Sequence, residues 1–205
     1  MKDRAISVVL FDVGGVLVET SGVGTMLAWM NHRVSAEELW KMWLTNSVVR
    51  AFETGKIPAD EFADDVIADF GLPVRREEFL QEMATWSATF FPGAVELVER
   101  IPSRYVRATL CNTNSIHWPY LMQNERFSNA FMHHFASHLI GKIKPDEAAF
   151  RHVVDVLRRD PQEVLFLDDN ELNVLGAKAV EMKAMRVKGV AEATRVLIAL
   201  DVIAN

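Results

Sequence analysis

The sequence predicts an α/β fold: a doubly wound parallel sheet with a small helical subdomain inserted after its first strand. Three observations predict it. Short apolar runs end abruptly in small or polar residues, helical patterns alternate with those runs, and the long segment between the first two runs has helical punctuation only.

The first run, residues 6–11, stops at Asp12-Val13-Gly14-Gly15. The second, 105–110, stops at Cys111-Asn112-Thr113-Asn114, and the third, 164–167, at Asp168-Asp169-Asn170. Short runs rich in Val, Leu and Phe fit strands buried on both faces of a parallel sheet. A weaker strand follows at 184–187. Between the runs, residues 94–101 offer Val95, Leu97, Val98 and Ile101 as an inward face. Residues 146–157 place Ala149, Phe150, Val153, Val154 and Leu157 at helical spacing, and 171–182 form a third amphipathic stretch. In such sheets ligands sit outside the carboxyl ends of the strands. The three polar stops are therefore expected to converge.

Residues 22–91 read differently. Ser35 with Glu38 is a capping box, followed by Leu39, Trp40, Trp43 and Leu44 on one face. Phe52-Glu53-Thr54-Gly55 reads as a helix ending at a glycine. Residues 59–70, closed by Gly71 and Pro73, and 75–88 are further amphipathic stretches. The expected division is a core of residues 1–21 and 92–205 and a helical subdomain of 22–91.

Composition excludes several classes. Half of the 205 residues are hydrophobic and Gly and Pro are sparse, which excludes a disordered or collagen-like chain. The lone Cys111 excludes an intramolecular disulfide and a multi-cysteine zinc site. A net charge of −6 speaks against nucleic acid as a partner. The basic pairs Arg75-Arg76 and Arg158-Arg159 are short, sit beside acids and read as solvated helix faces. The first apolar run is too short for a signal peptide, and none approaches the ~18 residues of a membrane span. A cytoplasmic protein with no membrane association is the expectation; oligomeric state is not legible.

The polar stops carry the chemistry. Asp12 ends a buried strand and is followed closely by two glycines, which let the backbone turn tightly near a ligand. Asp168 and Asp169 end another strand, with Asn173 four residues beyond Asp169. Carboxylates converging on one crevice suit a hard cation, with Mg²⁺ and a phosphate the usual occupants. Lys144, before Pro145, places a positive charge at the same edge. Lys142 is equally available, but the Lys-Pro-Asp context favours Lys144. A nucleophilic carboxylate, a metal and a lysine together describe phosphoryl transfer through an aspartyl-phosphate.

Four segments in order resemble the motifs of the haloacid dehalogenase-like (HAD) hydrolase superfamily, and the resemblance covers nearly the whole chain. Phe11-Asp12-Val13-Gly14-Gly15-Val16-Leu17 resembles motif I, and Leu110-Cys111-Asn112-Thr113-Asn114 falls at motif II. Gly141-Lys142-Ile143-Lys144-Pro145-Asp146 resembles motif III. Phe166-Leu167-Asp168-Asp169-Asn170, with Asn173 and Gly176-Ala177, resembles motif IV. The segment 22–91 is similar to the family's helical C1 cap, and Phe91-Pro92-Gly93 to the return into a Rossmann-like core.

The resemblance implies that Asp12 attacks a phosphoryl group and that Cys111, Asn112, Thr113 and Lys144 bind the phosphate. It implies that Asp12, the Gly14 carbonyl, Asp168 and Asp169 hold Mg²⁺, Asp169 foremost. The implied substrate is a small phosphorylated metabolite. Two residues depart from the pattern. Gly14 stands where the family carries a second aspartate as general acid and base, and Cys111 stands at a Ser/Thr position. Two other activities therefore stay open: a 2-haloacid dehalogenase, and a non-catalytic binding protein that keeps the fold.

Other suggestive residues read as structural. His133, His134 and His138 lack an acid or cysteine at ligand spacing. Cys111 reads as a buried small residue, and Trp29, Trp40, Trp43 and Trp86 as packing residues. Asn170 and Asn173 fit either helix capping or support of the neighbouring acids.

Overall fold

The computed structural model describes residues 4–86 and 89–205. Five strands form one sheet: β1 Val8–Phe11, β2 Val106–Cys111, β3 His133–Ala136, β4 Val164–Asp168 and β5 Lys183–Arg186. Their spatial order is β3-β2-β1-β4-β5, and every neighbouring pair is parallel. The chain moves outward from β1 through β2 to β3, then crosses back to build β4 and β5 on the other side. This places the topological switch point between β1 and β4, where α/β sheets open a crevice.

The strands β1 and β4 are buried along their whole length. Alternation of side chains across the pleat sends Val9, Phe11, Leu165 and Leu167 into one core. Val8, Leu10, Val164 and Phe166 enter the other. Both faces are apolar, so the sequence shows continuous runs rather than alternation.

The helices between β1 and β2 are α1 Gly22–Trp29, α2 Ala36–Thr45, α3 Ser47–Glu53, α4 Ala59–Phe70, α5 Arg76–Met83 and α6 Ala94–Glu99. Beyond β2 come α7 His117–Met122, α8 Glu125–Ala130, α9 Ser137–Ile140, α10 Glu147–Leu157, α11 Glu171–Ala179 and α12 Gly189–Ala199. Side chains of α6, α8 and α12 fill the first core, and those of α10 and α11 the second.

Several elements differ from the sequence reading. Strand β3 is absent from that reading because its four residues, His-His-Phe-Ala, carry too little apolar character. It is an edge strand, and His134 secures it through Thr109 Oγ1 at 3.1 Å and the Ser128 carbonyl at 3.0 Å. The stretch 75–88 is helical only to Met83, and residues 87 and 88 lie outside the described ones. Helix α11 ends at Ala179, and Glu181 just beyond has a φ of 67°.

Helices α1 to α5 enclose a core of their own, with Met26, Leu39, Phe52, Phe62, Phe79 and Trp86 among its buried members. Ser35 caps α2 with both capping-box bonds, and the left-handed Gly71 closes α4. Phe52 and Phe62 stack at 4.1 Å, and Trp29 and Trp43 pack on the same cluster. Trp40 departs from its expected face and is 42% exposed. Two backbone segments join this insert to the sheet and pair with each other. Glu19 N–H donates to the Thr89 carbonyl at 2.8 Å and Phe91 N–H to that of Leu17 at 2.9 Å. Among the described residues no helix is long and apolar enough to cross a membrane.

The fully buried Phe62 contacts rings on both sides, so its loss leaves a cavity that the insert cannot close. Phe62→Ala is expected to lower stability by about 3–5 kcal/mol, measured by urea denaturation followed through tryptophan fluorescence.

Candidate active site

Asp12 follows β1 directly, and its N–H donates to the Leu167 carbonyl of β4 at 2.8 Å. This bond extends the ladder by one residue and aims the carboxylate into the switch-point crevice. Oδ1 accepts the Val13 N–H at 2.7 Å and lies 2.8 Å from Lys144 Nζ. Oδ2 accepts no hydrogen bond among the described residues.

Lys144 is 1% exposed, and its ammonium also lies 2.7 Å from Asp168 Oδ2. The structure thus separates the two lysines: among the described residues Lys142 Nζ donates only to the Ile140 carbonyl, at 3.4 Å. Burial alone would lower the Lys144 pKa, but the Asp12 and Asp168 carboxylates outweigh burial and hold it above the ordinary lysine value. Asn112 fixes the backbone of this residue from β2. Its Nδ2 donates to the Lys144 carbonyl and its Oδ1 accepts the Lys144 N–H, both at 2.9 Å.

Asp168 is fully buried and its oxygens are saturated. Oδ1 accepts from Asn170 N–H at 2.8 Å and from Asn173 Nδ2 at 3.1 Å. Oδ2 accepts from Asn173 at 3.0 Å besides Lys144. Asn173 therefore supports an acid, whereas Asn170 caps α11 through the Leu172 N–H. Asp169 is partly exposed, and its carboxylate meets no side-chain donor among the described residues. Gly15 makes room for it. A Cβ there would lie 2.3 Å from Asp169 Oδ2, and the Gly15 φ of +71° favours glycine independently.

Carboxylate oxygens of Asp12, Asp168 and Asp169 lie within 4.8 Å of one another. Three carboxylates face one ammonium, leaving an excess of negative charge in a buried crevice. Burial and the neighbouring Asp168 push the Asp12 pKa up to about 8 despite Lys144, and burial and Asp168 likewise raise that of Asp169. A cluster short of positive charge, with free oxygens on Asp12 and Asp169, fits a divalent oxygen-seeking cation.

On the β2 side, Cys111 is buried and donates weakly to the Asn112 carbonyl, 3.6 Å away. Burial, and then Asp12, drive its pKa far up, so the thiol stays protonated. Thr113 is gripped through its backbone: its N–H donates to Ser137 Oγ, which donates in turn to the Thr113 carbonyl, both at 2.9 Å. The crevice thus gathers Asp12, Lys144, Asp168 and Asp169, with Cys111, Asn112 and Thr113 along its β2 edge. Gly14 carries no side chain there, and a Cβ would meet Thr20 Cγ2 at 3.1 Å.

A family model described as haloacid dehalogenase-like hydrolase matches residues 6–181. The chain belongs to that family. It is 26% identical over 208 residues to a bifunctional riboflavin kinase/FMN phosphatase of Arabidopsis thaliana, spanning 97% of this chain and 53% of that protein. The chain therefore covers about half the length of this relative. It is 24% identical to phosphoglycolate phosphatase 1 of Pseudomonas aeruginosa over 88% of this chain and 68% of that one. Among solved structures, an HAD family enzyme of Bacteroides thetaiotaomicron, in complex with magnesium and inorganic phosphate, superposes with a TM-score of 0.71. That likeness, at 23% identity over 90% of this chain and 95% of that one, concerns the fold. The protein is an HAD-family hydrolase.

Two contributors escape the sequence reading. Ser137 gives no signal, because a lone serine after a weak strand is unremarkable in sequence. Glu53 does give one: a carboxylate closes a helix, where the dipole disfavours negative charge. It is partly buried, with the Trp43 indole donating to it and Lys144 and Arg50 within electrostatic reach. Burial is the largest influence and raises its pKa to about 7.

Between pH 4.5 and about 7 the folded chain keeps a Glu53 proton that the unfolded chain has released. The Glu53 contribution to stability is thus fullest below pH 4.5 and falls as pH rises through 7, by up to about 3 kcal/mol. Histidines held neutral by burial (His117, His134, His138, His152) act in the opposite sense over neighbouring pH. The difference between parent and Glu53→Gln isolates the carboxyl. The variant is expected to gain on the parent as pH rises from 5 to 8, measured by urea denaturation at each pH.

Proposed function

We propose that this hydrolase is a Mg²⁺-dependent phosphatase acting on a small phosphorylated metabolite through an aspartyl-phosphate on Asp12. The observation that carries the reading is the pairing of a buried, lysine-bound Asp12, one oxygen uncommitted, with the partly exposed Asp169 beside it. The phosphatase names of two distant relatives agree with it.

In this reading one Asp12 oxygen attacks phosphorus and the other faces the cation, with Val13 N–H and Lys144 orienting the carboxylate. Asp12, Asp169 and the Gly14 carbonyl would hold Mg²⁺, which when bound supplies positive charge to the phosphoryl oxygens. Asp168, already accepting four hydrogen bonds from three donors, keeps Lys144 charged and in place. The Lys144 ammonium offers its remaining capacity to a phosphoryl oxygen, a charge-assisted contact that strengthens as negative charge develops. Cys111, Asn112 and Thr113 border the phosphate; with the Asn112 amide spent on Lys144, its part there is to hold that lysine. The helical insert covers the crevice, limits water and shapes the pocket.

The charge balance favours this over a dehalogenase. Displacing halide needs no cation, and a site with surplus buried carboxylates would repel a haloacid's own carboxylate. An overall charge of −6 likewise suits a small substrate met by local cations better than a nucleic acid.

The test is phosphate release from sugar phosphates, nucleotides and p-nitrophenyl phosphate. Release is expected with Mg²⁺, is expected to cease with EDTA, and to fall at least 10³-fold in Asp12→Asn. Release that survives either change contradicts the mechanism. Mg²⁺-dependent ligand binding without turnover would point to a binding protein, and chloride release from a haloacid to a dehalogenase.

A further inference from the structure

Phosphate-ester cleavage at Asp12, on which this inference rests, needs a proton for the departing alkoxide and then a base for the attacking water. The groups nearest Asp12 are committed elsewhere, Asp169 to the cation in this reading. Lys144 is locked as a cation between two carboxylates, and the Cys111 thiol is buried and holds its proton. Asp168 accepts hydrogen bonds on both oxygens, and Gly14 has no side chain.

We propose that Glu53, contributed by the helical insert, is the general acid and base of this site. Its position rests on two contacts that fasten α3 and the turn after it over the carboxyl ends of the strands. One turn before Glu53, Arg50 reaches Asp146 at 2.6 Å, two residues beyond Lys144. Two residues after Glu53, the Gly55 backbone is pressed against α9. A Cβ on Gly55 would lie 2.4 Å from the His138 carbonyl oxygen, and its φ is +72°. Ser137, adjacent to that contact, holds both backbone groups of Thr113 beside Cys111. Glu53 thus lies between an anchor on the Lys144 loop and an anchor on the β2–β3 edge.

The electrostatics agree with this placement. The Lys144 charge reaches Glu53, and the Glu53 charge in turn reaches Cys111. The charged or titratable groups in electrostatic reach of it include Arg50 on its own helix, Lys144 and Cys111. Other acids of the insert, such as Glu38 and Asp64, are solvent-exposed, and their pKa values are shifted down by local partners. Glu53 alone among the described acids of the insert is held by burial near neutrality, the range in which a carboxyl can both give and take a proton at physiological pH.

The steps balance. As the Asp12 oxygen bonds to phosphorus and the ester P–O bond breaks, protonated Glu53 passes its proton to the leaving oxygen, giving the alcohol. The Glu53 carboxylate then takes a proton from water while the water oxygen bonds to phosphorus and the Asp12–phosphorus bond breaks. Inorganic phosphate, ionised Asp12 and protonated Glu53 result.

The experiment compares the full chain with Glu53→Gln and Glu53→Asp on phenyl phosphate and p-nitrophenyl phosphate, in Mg²⁺. A general acid matters more for the poorer leaving group. Glu53→Gln is therefore expected to lose 10²–10⁴-fold in kcat on phenyl phosphate and to form the aspartyl-phosphate nearly normally from p-nitrophenyl phosphate. Lacking the base, it should then stall, giving a burst of about one nitrophenolate per site before slow turnover. Glu53→Asp should restore part of the phenyl phosphate rate. Rates of Glu53→Gln within threefold of the parent on both esters would overturn the assignment. So would an equal loss on both without a burst, or a raised KM at unchanged kcat, which marks a binding residue. These outcomes in a parent that is active and silenced by Asp12→Asn refute Glu53 alone. A parent inactive on every ester, or indifferent to Asp12→Asn, refutes the Asp12 reading and this inference with it.

Discussion

One buried ammonium organises this molecule. Lys144 is removed from water and would be costly to keep charged alone, since the desolvation of a buried ion amounts to several kcal/mol. Two carboxylates within 2.8 Å offset that cost, and they come from the two strands flanking the switch point, Asp12 after β1 and Asp168 on β4. Asn112, just after β2, clamps the Lys144 backbone. Three central strands are therefore locked at their carboxyl ends through one residue. The arrangement concentrates more negative than positive charge, which pushes the Asp12 pKa upward and makes the crevice receptive to a cation. Positional accuracy and appetite for a metal have the same origin.

Under the phosphatase reading, the acidic residues at the site also explain how a chain of net charge −6 would attract an anionic ester. Long-range steering would be unfavourable, so attraction has to be short-ranged. Lys144 provides one local positive charge, and the acids that surround it are the means of recruiting another.

Much of this was legible in the sequence because burial on both faces leaves an unmistakable trace. β1, β2 and β4 are written as apolar runs with sharp polar ends, and those ends are where Asp12, Cys111 and Asp168 stand. Edge strands leave no such trace: β3 is half-buried and carries two histidines, so neither run nor alternation survives. The family motifs identified the site's members, but not how their bonds are distributed. The motif resemblance put Asp169 foremost as a cation ligand, but the sequence does not show that Asp168 is spent on Asn170, Asn173 and Lys144 while the Asp169 carboxylate is open. Nor does it show that the Asn112 amide is occupied by the Lys144 backbone. Such assignments depend on a side chain meeting a partner distant in sequence, as Ser137 meets Thr113. Glu53 was legible only as an anomaly, an acid at the wrong end of a helix.

That anomaly links the two parts of the chain. With glycine at position 14 and Thr20 occupying the space beside it, the sheet supplies no side chain there for proton transfer. The insert that carries Glu53 is held to the sheet domain by the Arg50–Asp146 pair, by Gly55 against α9 and by His117 on the Met83 carbonyl. The surface pair alone contributes little stability, and the paired segments at residues 17–19 and 89–91 are the backbone connection between insert and sheet. With Glu53 as the acid, lifting the insert would withdraw the proton donor and admit water in the same movement. An aspartyl-phosphate exposed in that state would lack the base needed to hydrolyse it. Seating of the insert and competence for both chemical steps would then be one event, a coupling that an acid fixed on the sheet could not provide.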